Sequence, residues 1–159
     1  MITAYYLCHG LWTVIPHQLE ANFRDLADCG FTTVAISFSE SEMSYARRAF
    51  EIQVNLAHKC GLKALVIPSR IGGRLAGAPL MPSLWLSKNP QYRVPLDLWM
   101  PVACLESTAF IEWSRDFVGT VVRDYDIDGI IWDEPKDPAA ISTHPDTIAR
   151  FGPKPTAEQ

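Results

Sequence analysis

Residues 32–68, TTVAISFSESEMSYARRAFEIQVNLAHKCGLKALVIP, predict a strand, a helix and a second strand. The run at 32–38 is short, apolar and β-branched, which is typical of a strand buried on both faces. In the middle of the stretch, apolar residues recur every three or four positions, as on one buried helix face: Ala46, Phe50, Val54 and Ala57. The run KALVIP at 63–68 returns to the strand pattern. This unit predicts two parallel strands joined by a right-handed helical crossover.

The same alternation extends in both directions along the chain. Residues 4–8 predict a first strand, and a helical pattern begins at Pro16 and ends before Gly30. Residues 107–124 predict a further helix and 127–132 a fourth strand. The first three strands begin about 30 residues apart, close to the ~31 residues per unit of a (β/α)₈ barrel. We therefore expect an α/β fold, a parallel (β/α) barrel of TIM type present as a four-stranded half-barrel.

Composition excludes several classes of protein. The chain has 159 residues, 48% of them hydrophobic and 20% charged, with a net charge of −4. These values are near the average for globular domains and exclude a disordered chain, a coiled coil or a collagen-like repeat. No basic face is available for nucleic acid, so no nucleic-acid partner is expected. The absence of an 18-residue apolar run and of a signal-peptide pattern predicts a cytoplasmic protein without a membrane partner.

The four cysteines do not form a recognisable metal or disulfide pattern. Cys8, Cys29, Cys60 and Cys104 are widely spaced, without a CxxC pair or a nearby histidine cluster. We expect reduced, mostly buried thiols. Neither a metal nor a cofactor is expected, and the strand exit at 9–12 lacks the glycine-rich turn of a dinucleotide-binding sheet.

The strand ends hold the candidate site residues, because active sites of parallel α/β folds lie where strands end. The group Trp132, Asp133 and Glu134, followed by proline, is the sharpest signal, since carboxylates at such a place can perform acid/base work. Adjacent residues of a strand point to opposite faces, so only one carboxylate enters a barrel mouth. If Trp132 points inward, Glu134 does too, and Asp133 points to the helical layer.

Other exits supply candidates for binding substrate. These are His9 and Trp12 after the first strand, Glu40 after the second, and Arg70 after the third. Glu40 also fits a helix N-terminus, where carboxylates are favourable. The long segment at 69–106 adds three aromatic residues that either stack on sugar rings or pin the loop to the rim: Trp85, Tyr92 and Trp99. His17, His58 and His144 are predicted to be surface residues.

Two quoted segments resemble a known family. The stretch at 125–135, YDIDGIIWDEP, preceded by CLESTAFIEW at 104–113, is similar to the fourth-strand region of (β/α)₈-barrel glycoside hydrolases. The stretch at 85–92, WLSKNPQY, resembles the loop after the third strand in such proteins. The resemblance implies hydrolysis of the O-glycosidic bonds of a carbohydrate. It assigns Glu134 as acid/base where the family has Asn-Glu-Pro, with Asp133 replacing the Asn, or Asp133 as nucleophile by likeness to α-acting families.

The strand count determines the predicted domain organisation. Residues 1–136 are expected to be the N-terminal half of a barrel. Residues 137–159 are expected to be a proline-rich loop, with a short helical pattern at 145–151, and the start of a truncated helical segment. A retaining mechanism needs two carboxyl groups ~5 Å apart from different strands, so the isolated chain is expected to be inactive. A natural half-barrel would instead associate through its open sheet edges.

Two other functions remain open at the level of sequence. A metal-dependent sugar isomerase or endonuclease-like barrel would draw on His9 and Glu134 as ligands. A non-catalytic carbohydrate-binding half-barrel would need neither carboxylate.

Overall fold

The computed structural model describes residues 2–7, 14–74, 82–95, 101–132 and 142–156. These ranges contain four strands: β1 (Ala4–Leu7), β2 (Thr33–Ser39), β3 (Lys63–Ser69) and β4 (Gly129–Ile130). They contain six α-helices: α1 (Pro16–Asp28), α2 (Glu40–Ser44), α3 (Arg47–Lys59), α4 (Leu84–Lys88), α5 (Thr108–Asp124) and α6 (Pro145–Phe151). Short 3₁₀ turns occupy Ile71–Gly73 and Pro90–Tyr92.

The strands form one sheet in the order β1-β2-β3-β4, and every neighbouring pair is parallel. This confirms the α/β class and the four parallel strands predicted from the sequence. The fourth strand is shorter than the predicted 127–132. Its pairing with β3 is flanked by hydrogen bonds from the Asp128 and Ile131 N–H groups to the Ala64 and Val66 carbonyls, at 2.9 and 2.8 Å.

Alternate residues of the strands face two different layers. One face packs against the helices and forms the main core with α1, α3 and α5, as the side chains of Val34, Ile36, Phe38, Ala64 and Val66 demonstrate. The opposite face carries Ser37 and Ser69, whose hydroxyls are hydrogen-bonded at 2.8 Å, and both are buried. Because paired residues of a ladder share a face, Ile130 belongs to the helix side through its pairing with Val66.

Helix ends follow local sequence signals, with one difference from the prediction. Gly61 has φ +78°, and the Leu62 N–H donates to the Ala57 carbonyl at 2.9 Å, which ends α3 in a left-handed turn. The helix predicted from the apolar repeat between Ala46 and Ala57 is α3, and the short helix α2 before it was not predicted. The Ser39–Glu42 capping box starts α2 immediately after β2, so the chain turns into a short helix before α3 begins.

Predicted α5 and α6 agree with the structure to within a residue. Among the described residues, every helix is too short or too polar to cross a lipid bilayer.

Candidate functional site

The C-terminal ends of β2, β3 and β4 lie at the same end of the sheet because all the strands are parallel. Three predicted residues lie at this C-terminal end of the sheet: Glu40 and Arg70 immediately follow β2 and β3, and Trp132 lies two residues after β4. His9, Trp12, Trp99, Asp133 and Glu134 lie outside the described residues. The candidate site is therefore described from the residues that neighbour these five positions.

Glu40 is only 6% exposed, and its carboxylate is surrounded by protein donors. Oε1 accepts from the Gly72 N–H at 2.8 Å and from the Ser83 hydroxyl at 2.7 Å. Oε2 accepts from the Trp85 N–H at 2.6 Å. These donors all belong to the segment after β3, so Glu40 fastens that segment to the end of β2. A role for Glu40 in binding sugar stays a prediction, beside this observed structural one.

The second acidic residue at this exit is also engaged. The Ser39 N–H and hydroxyl both donate to Glu42 Oε2, the N–H at 2.7 Å, and Ser39 Oγ accepts from the Ser41 N–H at 3.1 Å. Glu42 is almost completely buried. The Ser/Glu cluster of the sequence is thus a helix cap and a loop anchor, which satisfies the donors of the first turn of α2.

Arg70 has an unusual backbone conformation. Its φ is +54°, and it is the one non-glycine residue with positive φ in the described part of the chain. Such conformations cost a side-chain-bearing residue roughly 1–3 kcal/mol and persist where surrounding contacts impose them. The strain lies at the exit of β3, where the chain turns so that Gly72 can reach Glu40. Gly72 itself is required, since a Cβ there would lie 2.3 Å from the Phe110 ring.

Trp85 and Tyr92 are brought together, but in an aromatic cluster with α5. Trp85 stacks on Tyr92 at a centroid distance of 5.4 Å and on Trp113 at 5.1 Å, and Phe110 tilts against it at 5.4 Å. All four rings pack on the core. Of the two roles that the sequence left open, this geometry favours pinning the loop to the rim.

Trp132 points to the helical side of the sheet. It is 55% exposed and lines a groove of about 560 Å³ together with residues of α5, among them Ile111, Arg115 and Val118. This agrees with strand alternation, because Trp132 is two residues beyond Ile130. The sequence analysis expects an inward Glu134 only if Trp132 points inward, and Trp132 does not point inward.

A polar cluster that sequence reasoning missed joins α6 to the loop before α5. The Thr147 hydroxyl donates to Glu106 Oε2 at 2.9 Å, and the Cys104 thiol donates to the same oxygen at 3.2 Å. Burial raises the pKa of the Cys104 thiol, which makes it a poor nucleophile. Burial alone would raise the pKa of Glu106, but hydrogen bonds from Thr147 and Cys104 hold it below its ordinary value.

The prediction of a surface position is wrong for His144. Its side chain is buried at the start of α6, where Nε2–H donates to the Gln91 carbonyl at 2.8 Å and Nδ1 accepts from the Asp146 N–H at 3.1 Å. The proline at position 145 predicted the helix start, but nothing local indicated what its cap would contact.

Asp128 and Gly129, the Asp-Gly pair of the family-like motif, lie at the N-terminal end of the sheet, where Asp128 has a structural role. Asp128 Oδ2 accepts from the Ala64 N–H at 2.8 Å and lies 2.9 Å from His58 Nε2. Burial opposes ionisation of Asp128, yet the hydrogen bonds from His58 and Ala64 lower its pKa. Through His58 and Ala64, Asp128 therefore connects α3 and β3 to the start of β4.

Metal ligation has no visible arrangement in the described ranges. No three His, Cys, Asp or Glu side chains there lie together as a metal ion would require. His9 and Glu134, the ligands considered from the sequence, lie outside those ranges.

Comparison with solved structures shows a likeness in fold. No protein-family model matches the chain, and no curated protein matches its sequence. Among solved structures, the chain is similar to a GH36 alpha-galactosidase from Geobacillus stearothermophilus in complex with stachyose, with a TM-score of 0.57 and 10% sequence identity. The match covers 91% of this chain and 26% of that protein. The chain thus spans about a quarter of the solved structure, with which it shares a fold.

Proposed function

We propose that this chain forms the first four strands of a glycoside hydrolase-like (β/α) barrel that acts on O-glycosidic bonds of a carbohydrate. The parallel four-stranded sheet supports the barrel, as does the likeness in fold to part of an alpha-galactosidase. That solved protein holds stachyose, which is consistent with a carbohydrate as the substrate class proposed for this chain.

The observation that carries the mechanistic part of the proposal is the direction of Trp132. Ile130 and Trp132 lie on the helix side of the sheet, and successive residues of an extended strand point to opposite faces. We therefore propose Asp133, rather than Glu134, as the fourth-strand carboxylate that faces the substrate. Its role is that of a nucleophile or an acid/base.

A second carboxylate must complete either mechanism. Glycosidases use a pair of carboxyl groups, ~5 Å apart in retaining enzymes and farther apart in inverting ones. Glu40 and Glu42, the acidic side chains at the described end of β2, already accept hydrogen bonds from protein donors. We therefore expect the partner of Asp133 to come from elsewhere and the 159-residue chain alone to hydrolyse glycosides only slowly.

The test compares two neighbouring carboxylates. The wild-type chain, Asp133→Asn and Glu134→Gln are assayed at high concentration on aryl glycosides of both anomeric configurations, with circular dichroism to verify folding. We expect slow hydrolysis that Asp133→Asn abolishes and Glu134→Gln, the matched control, largely retains.

Two outcomes would contradict the proposal. Loss of activity in Glu134→Gln but not in Asp133→Asn would reverse the assignment. Saturable oligosaccharide binding by a wild type that hydrolyses none of the substrates would instead support the non-catalytic carbohydrate-binding alternative.

A further inference from the structure

Helix α5 has two apolar sides, and the described residues bury one of them more completely than the other. Phe110, Phe117 and Val121 are buried in the core. The other side, with Ile111 and Val118, forms the wall of the 560 Å³ groove described above. Leu105 and Trp132 close the groove and remain 40% and 55% exposed. An apolar concavity of this size is within the range of small-molecule sites, roughly 300–1,000 Å³.

The charge of the groove is opposite to that of the chain. Two arginines, Arg74 and Arg115, line it, and no carboxylate is among the lining residues that the structure describes, whereas the whole chain has a net charge of −4. The Arg74 Nε–H donates to the Ala103 carbonyl at 2.7 Å, which fixes that cation at the groove. Arg115 is exposed, and within the described residues it has neither a hydrogen-bond nor an ion-pair partner.

We propose that this groove binds a soluble aromatic carboxylate. Its ring would lie against the indole of Trp132 and the aliphatic side chains of α5, and its carboxylate would face the guanidinium of Arg115. An apolar wall with an unpaired cation at its margin complements a flat apolar body with one negative group. The site is separate from the proposed catalytic face, because Trp132 points to the helical side of the sheet.

The experiment uses two probes that differ only in charge. Isothermal titration calorimetry of the whole chain with 2-naphthoate and with the neutral 2-naphthylmethanol should give a dissociation constant below about 1 mM for the acid and weaker binding of the alcohol. Arg115→Gln should weaken 2-naphthoate binding about two- to fivefold, as expected for an exposed ion pair, and leave 2-naphthylmethanol unchanged. Trp132→Ala should weaken both.

The matched control is Arg123→Gln on the same helix, because Arg123 is paired with Asp124 at 3.0 Å and does not line the groove. It should bind both probes like the wild type. The proposal is overturned if the acid and the alcohol bind equally, if neither binds at 5 mM, or if Arg123→Gln matches Arg115→Gln. It is also overturned if sedimentation shows a dimer that Trp132→Ala dissociates, since a second copy would then cover the groove.

Discussion

A carboxylate buried at a strand end needs donors, and Glu40 receives them from Gly72, Ser83 and Trp85. The sequence showed only an acidic residue after an apolar strand, a position that fits a substrate ligand and a helix cap equally well. Its donors follow 32 to 45 residues later in the chain, so no local pattern could identify them. The structural role of Glu40 emerges only when β2 and β3 are paired.

Replacing Glu40 by Gln should lower the free energy of unfolding by about 1–3 kcal/mol. The amide keeps one acceptor oxygen but turns an NH₂ group toward one of the buried donors, which then loses its partner. Urea denaturation measures the effect. Glu112→Gln, a change at an exposed residue of α5, is the control and should be neutral; equal stability of the two variants would contradict the anchoring role.

The direction of Trp132 shows the same limit of sequence reasoning at another residue. Alternation alone states that residues 132 and 133 face opposite sides, but it does not state which side either takes. The register of β4 on β3, with Ile130 opposite Val66, supplies the missing information. That register depends on hydrogen bonds at Ala64 and Val66, which no pattern in 127–135 encodes.

Among the elements, the long helices α1, α3 and α5 were predicted best because each has an extended apolar repeat and a clear end. Helix α5 was predicted within one residue from its 17-residue pattern, and α6 from its proline. Helix α2 was missed because it has five residues, too few for an apolar repeat, and the repeat that predicts α3 begins only at Ala46. The capping hydrogen bonds of Ser39, rather than apolar periodicity, set the start of α2.

Helix α6 is held to the loop before α5 by Thr147, Glu106 and His144, whose contacts are described above. We expect Thr147→Val, which removes the hydroxyl and keeps the shape, to raise the pKa of Glu106 toward its ordinary 4.5 and to speed amide hydrogen exchange in α6. Nuclear magnetic resonance measures both quantities. Thr120→Val on α5 is the control and should change neither.

The hydrogen bond from Thr147 to Glu106 also predicts that the stability of the fold depends on pH. Because folding lowers the pKa of Glu106, its contribution to stability is fully present above the ordinary value of 4.5 and is lost as the pH falls through the lower folded value. The stability difference between wild type and Thr147→Val should therefore shrink on acidification below about pH 4.5. A difference that stays constant from pH 7 to pH 3 would show that Glu106 is not the partner that matters.

At the scale of the whole molecule, the alternating periods predicted the parallel sheet, because strands and helices of this class have different apolar repeats. These apolar repeats do not encode whether the edge strands of the sheet are covered or exposed. Strand β1 has one neighbour, and nearby Ile2 and Tyr5 are 82% and 42% exposed. An edge with exposed apolar side chains is a template for pairing with another chain.

We expect the chain to associate with itself at high concentration through the β1 edge. Tyr5→Lys should reduce the association, because a charge on an edge strand opposes pairing, whereas Trp132→Ala should leave it unchanged. Sedimentation velocity over a hundredfold concentration range measures both variants. A chain that stays monomeric throughout would refute this expectation.

The attachment made by Glu40 also bears on how the protein tolerates change. Two of its three donors are main-chain N–H groups, those of Gly72 and Trp85. The Phe110 ring restricts position 72 to glycine, whereas at position 85 any residue except proline supplies the donor. The hydrogen bond from the Trp85 N–H to Glu40 therefore does not depend on the indole side chain. A set of variants at position 85 would therefore remove the indole from its stack with Tyr92 and keep the donor to Glu40, which separates the two contributions of this one residue.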